Sequence, residues 1–70
     1  MNIGKLIKEK REEKGLSRRQ LAEAVGVKEA MVSHVENGFR KVKPSRAARY
    51  ESALGIPKET LCPDVFGHSS

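Results

Sequence analysis

Ser17-Arg-Arg-Gln-Leu-Ala-Glu-Ala-Val-Gly-Val-Lys-Glu-Ala-Met-Val-Ser-His-Val-Glu-Asn-Gly38 decides the fold of this chain, because it places two short helical patterns on either side of one glycine. Leu21 and Ala22 followed by Val25 mark one face of a helix, and Val32 followed by Val35 marks the face of a second. Gly26 stands between them. A glycine there takes the positive backbone angle that ends a helix within one residue, and Val27 behind it is placed to plug the angle between the helices.

Upstream, Gly15 stops an earlier helix, Leu16 enters the core, and Ser17 caps the next helix with Gln20 completing a capping box. That earlier helix is expected from about Asn2 to Lys14, with Asn2 as its cap and Ile3, Leu6 and Ile7 facing inward. The second helix then covers Arg18 to Val25, and the third Lys28 to Asn37, closed by Gly38. Downstream, Pro44 and Ser45 open a fourth helix, since proline suits a first turn and serine accepts an orphan amide bond. Ala47, Ala48, Tyr50 and Leu54 give it an apolar stripe, and Gly55 ends it. Ile56-Pro57 restarts a short helix through Leu61, and Pro63 forbids its continuation. Val65 and Phe66 are expected to fold back on the core. No alternating strand pattern interrupts this order. The expectation is an all-α, five-helix bundle with no sheet, one domain over 1–66 and a disordered tail over 67–70.

Two short helices meeting at one glycine form a helix-turn-helix, with which small proteins place a helix in the major groove of DNA. The run from Leu16 to Val27, then Val32-Ser33 and Glu36-Asn37-Gly38, resembles the Cro and CI repressor group of bacteria and their phages, the XRE-type helix-turn-helix proteins. The resemblance begins at about Ile3, is strong to Gly38 and thins beyond it. From Pro44 to Phe66, with Leu54-Gly-Ile-Pro57 and Pro63-Asp-Val-Phe66, the chain looks like the helical tail of Cro-like repressors and of some antitoxin-like relatives. Cro-like proteins end in helices in some members and a β-hairpin in others. The Pro-Ser start, the paired alanines and the Leu-Gly-Ile-Pro stop favour helix in this chain.

The 70 residues make one small domain, with no room for a second domain or a buried active site. Hydrophobic residues are 37% of the chain, so a soluble protein is expected. No apolar run approaches the roughly 18 residues of a membrane span. The amphipathic start lacks the continuous apolar segment of a secretory signal, so export is not expected, and the single Cys62 excludes an internal disulfide, which together fit the expectation of a bacterial cytoplasm. His34 and His68 add too few ligands for structural zinc, and no cofactor is implied. The formal charge of +5 points to a polyanionic partner. Placement sharpens this: Arg40, Lys41, Lys43, Arg46 and Arg49 follow the third helix without an acid among them, whereas Lys5 to Lys14 is interleaved with Glu9, Glu12 and Glu13.

The resemblance implies sequence-specific binding of double-stranded DNA and repression by operator occlusion, with the recognition helix presenting Lys28, Glu29, Ala30, Ser33 and His34 to bases. Lys28 can donate to guanine O6 and N7, His34 can donate or accept, and Ala30 can touch a thymine methyl. Ser33 has two readings, a base or phosphate contact and helix packing, of which packing is favoured. Glu29 either accepts from cytosine N4, holds a neighbouring Lys or Arg in place, or complements the positive helix end. Met31 is expected in solvent. Arg18, Arg19, Asn37, Arg40, Lys41 and Lys43 are expected on phosphates, which position the domain without reading sequence. In these relatives an arginine late in the first helix pairs with a glutamate late in the recognition helix, and Arg11 and Glu36 match those positions.

A weak homodimer, or a monomer that pairs on a pseudo-palindromic operator, is the expected assembly, and no membrane partner is expected. Catalysis is not expected: Ser33 and His34 point about 100° apart on a helix, and the sequence predicts no basic group to activate Cys62. Two alternatives stay open. One is an antitoxin-like protein-binding module whose contact patch holds Phe66, Val65 and Cys62, residues more simply read as core closure; the other is a hybrid Cro-like chain with no native operator.

Overall fold

Asn2 starts the chain's first helix: its backbone is extended and its side-chain oxygen accepts from the Lys5 amide at 3.0 Å. The computed structural model describes residues 2–63, so the expectations for Val65, Phe66 and the 67–70 tail lie outside the described residues. Helix α1 runs Ile3–Glu13, α2 Arg18–Val25, α3 Glu29–Glu36, α4 Pro44–Leu54 and α5 Lys58–Leu61, with no strand among the described residues. Three of these begin or end one residue inside the expected span because Asn2, Lys14, Lys28 and Asn37 act as caps, and Pro57 precedes α5.

The capping box before α2 is complete. The Gln20 amide donates to Ser17 Oγ at 3.0 Å and the Ser17 amide donates to Gln20 Oε1 at 2.8 Å, a closure worth about 1 kcal/mol. Helix α4 departs from expectation in one detail: Ser45 does not cap it. Lys43 occupies the cap position without a side-chain bond, because a residue before proline is held extended and Pro44 at the first position has no amide to satisfy.

The inward stripes meet as their spacing requires. Ile7, Leu21, Val25, Val32, Ala47, Tyr50 and Leu54 are almost fully buried, with Val35, Val42, Ile56, Leu61 and Cys62 closing the same core. Each large apolar side chain buried in this way contributes about 1.5–3 kcal/mol. Helix α2 packs against both α3 and α4, α1 crosses α3, and α5 folds onto α4. Ala48 lies outside the stripe and is exposed. Cys62 is buried and its thiol donates to the Val42 carbonyl at 3.1 Å, tying the end of α5 to the segment before α4. That position is core closure, not an outward patch.

Candidate nucleic-acid interface

The turn between α2 and α3 is made at Gly26, whose φ of 85° is left-handed. The amides of Gly26 and Val27 both donate to the Ala22 carbonyl, at 2.8 and 3.0 Å, so the chain reverses immediately after α2. Val27 is half-buried against the core, filling the angle as its sequence position suggested. Lys28 is then extended, offers no side-chain cap, and starts α3 by accepting from Met31 and Val32 through its carbonyl.

What holds α3 is on its rear face. Val32 and Val35 enter the core, and Glu36 at its end is buried with a carboxylate shared by two arginines. Arg11 Nε donates to Glu36 Oε2 at 2.7 Å and Nη1 donates to the Leu16 carbonyl at 2.8 Å, so one guanidinium ties α1 to α3 and to the loop before α2. Arg18 Nε donates to Glu36 Oε1 at 3.2 Å from the start of α2. The Arg11–Glu36 bridge implied by the resemblance is therefore present, and Arg18 joins it.

Position 4 adds a constraint invisible in local pattern. A Cβ there would come to 2.5 Å from the Glu36 carbonyl oxygen and closer still to that of Val35, so α1 can pass the end of α3 only with glycine. Spacing rules within one helix carry no signal of this approach, since the crowding comes from a helix some thirty residues on.

The front of α3 is open. Lys28, Glu29, Ala30 and His34 are exposed, while Ser33 is half-buried and its Oγ accepts from Asn37 Nδ2 at 3.4 Å. Ser33 thus sits between the packing and contact readings, with its hydroxyl engaged by Asn37. Met31 is a correction: it is half-buried against the core, because it lies at the edge of the inward stripe and its flexible thioether chain folds onto the apolar margin.

The cations divide into groups. Arg40, Lys41 and Lys43 are exposed beside the end of α3. Arg46 and Arg49 sit elsewhere: a Cβ on Gly26 would meet their Nη1 atoms at 3.3 and 3.5 Å, so these guanidinium groups attend the C-terminal end of α2, where unpaired carbonyls carry partial negative charge. Arg19 is exposed and lies 3.7 Å from Glu23 one turn on, while Arg18 stays about half exposed beside Glu36. No group of three or more His, Cys, Asp or Glu side chains converges among the described residues, and none of their helices is long and apolar enough to cross a membrane.

One residue escaped the sequence reading. Phe39 is exposed beside His34, with ring centroids 6.4 Å apart and planes at 89°. An apolar residue directly after a helix-ending glycine commonly packs back on the last turn, and that was the available signal.

The family model described as helix-turn-helix matches residues 7–61 of this chain. Among solved structures, a chain in the complex of SinR protein with SinI protein is similar to it, with 28% identity and a TM-score of 0.76 over 97% of this chain and 67% of that one. Comparison with curated proteins gives no significant match. With an all-helical fold, a glycine-hinged helix pair and a family match over most of its length, the chain belongs to the XRE-type helix-turn-helix family and is a DNA-binding transcription regulator, not an enzyme.

Proposed function

We propose that this domain is a Cro-like repressor that binds a specific double-stranded operator and blocks polymerase by occupying it. The observation that carries this reading is the two-sidedness of α3: its rear is fixed by Val32, Val35 and Glu36, while Lys28, Glu29, Ala30 and His34 are free. A helix anchored on one face and polar on the other presents hydrogen-bonding groups to base edges. Ser33 completes the reading face at its margin. Arg18, Arg19, Asn37, Arg40, Lys41 and Lys43 flank it as phosphate contacts, setting register without reading sequence.

So small a domain gains affinity and selectivity by binding as two copies to a pseudo-palindrome, with half-sites about one helical turn apart. The bacterial cytoplasm, on the nucleoid, is the setting this mechanism needs, and residues 1–66 are the unit that carries it. Selection of bound duplexes from a random pool, followed by footprinting, tests the reading. A recovered inverted repeat is the expected result; failure to retain any duplex at low salt overturns it. In the recovered site, Glu29→Ala relaxes preference at one base pair if Glu29 accepts from cytosine, and leaves preference intact if it serves only the helix end.

A second reading rests on the similarity to a chain found in the SinR protein/SinI protein complex. In that reading a partner protein controls or replaces the DNA contact. Co-purification of a second chain from the native host, together with absent duplex binding, would favour it.

A further inference from the structure

Phe39 is 78% exposed, and no other large hydrophobic side chain among the described residues is exposed. Its backbone is firmly placed. Gly38 is left-handed with φ 84°, the Phe39 amide donates to the His34 carbonyl at 2.8 Å and the Gly38 amide to that of Val35 at 3.2 Å. These are the paired bonds of a Schellman closure, in which the residue after the glycine packs back on the last helical turn. Here the residue it meets is His34, itself exposed, so the closure orients the ring without covering it.

We propose that Phe39 is a further specificity-determining residue, its ring packing on the C5-methyl group of a thymine in the major groove beside the base that His34 addresses. The inference rests on the proposed base-reading role of α3 and adds a contact to it. The thymine methyl is the apolar group that the major groove offers, and a phenyl ring is among the side chains suited to it. Charge selects DNA over a second copy of this chain. From Phe39 to Tyr50 there is no acidic residue, while Arg40, Lys41 and Lys43 follow Phe39 in the chain and are exposed, so two such surfaces repel each other and a polyanion attracts both. The 6.4 Å between the ring centroids corresponds to about two base steps at ~3.4 Å each, which confines the thymine to the neighbourhood of the base read by His34.

The test uses the full chain and a duplex recovered by it from a random pool. Each thymine is replaced by uracil, which removes the methyl and keeps the pairing, and binding is measured for the wild type, Phe39→Ala, Phe39→Leu and His34→Ala. Uracil at one half-site position, within two base pairs of the preference lost in His34→Ala, is expected to weaken the wild type about fourfold, the worth of one methyl removed from water. Phe39→Ala is expected to bind the two duplexes equally and Phe39→Leu to retain part of the difference. Wild-type binding indifferent to every uracil overturns the proposal while leaving base reading by α3 intact. An even loss of Phe39→Ala affinity at all sites also overturns it, as does loss of a DNA-free dimer in sedimentation, which would assign the ring to a second copy. If the pool yields no common sequence, base reading itself fails and the Phe39 contact with it.

Discussion

Arg11 and Glu36 lie 25 residues apart in sequence and meet at 2.7 Å, both buried, so the carboxylate at the end of α3 is neutralised from α1. Taking Arg11 away leaves the buried Glu36 carboxylate with only the half-exposed Arg18 beside it, a loss bounded by the ~3–5 kcal/mol that breaking a buried pair costs. Arg11→Ala is expected to lower the melting temperature steeply. Lys8→Ala, on the exposed side of α1, should stay within about 0.5 kcal/mol of the wild type. Calorimetry on the two variants checks this, and equal effects would refute the bridge.

Arg18 should show a double phenotype. Its Nε is committed to Glu36 at 3.2 Å, yet the side chain is about half exposed at the start of α2. Arg18→Gln is expected to reduce thermal stability and also to flatten the salt dependence of DNA binding by about 0.9 log-log units, as one lost phosphate contact does. Lys41→Gln and Lys43→Gln should change the slope alone. A stability loss in Arg18→Gln with an unchanged slope would make that arginine purely structural.

Gly4→Ala places a methyl group against the Val35 and Glu36 carbonyls, where there is no flexible side chain to yield. The helices must separate, at a cost of about 1–3 kcal/mol. Because the displaced element is α3, DNA affinity should fall further than the same loss of stability produces in a core variant on α4, such as Leu54→Ala. Paired melting and binding measurements on the two variants check this, and proportional losses would remove the positional effect.

Tyr50 is buried, and its hydroxyl has no hydrogen-bond partner among the described residues. Burial, reinforced by the nearby Glu36 charge and opposed by Arg46, pushes its ionisation above the ordinary tyrosine value of 10.0. Tyr50→Phe should leave stability unchanged or raise it by about 1 kcal/mol. The sign of the pH effect follows: the unfolded chain loses the phenolic proton first, so the contribution is intact below pH ~10 and is lost as pH rises further. Denaturant titrations across that range should show a steeper alkaline decline in the wild type than in Tyr50→Phe.

Helix limits were legible because each is written in adjacent residues. Ser17 and Gln20 form their box wherever the rest of the chain goes, and Gly26 turns by its own backbone freedom. Arg11 and Glu36 were legible only through resemblance, since nothing local joins residues so far apart. Ser45 was misjudged as a cap because the constraint that proline imposes on Lys43 dominates the start of α4. The run from Arg40 to Arg49 read as one basic surface, but in three dimensions Arg46 and Arg49 turn toward Gly26, which a linear charge count does not separate. Gly4, Phe39 and the Tyr50 hydroxyl depend on what approaches from other elements, and composition and periodicity are silent there.

Because α3 is clamped from behind by Val32, Val35 and Glu36, the side chains at positions 28, 29, 30 and 34 take no part in the core. New side chains can be transplanted there as interchangeable lettering on a constant chassis. A library varied at those four positions inherits the same folded body and diverges only in the sequences it retrieves.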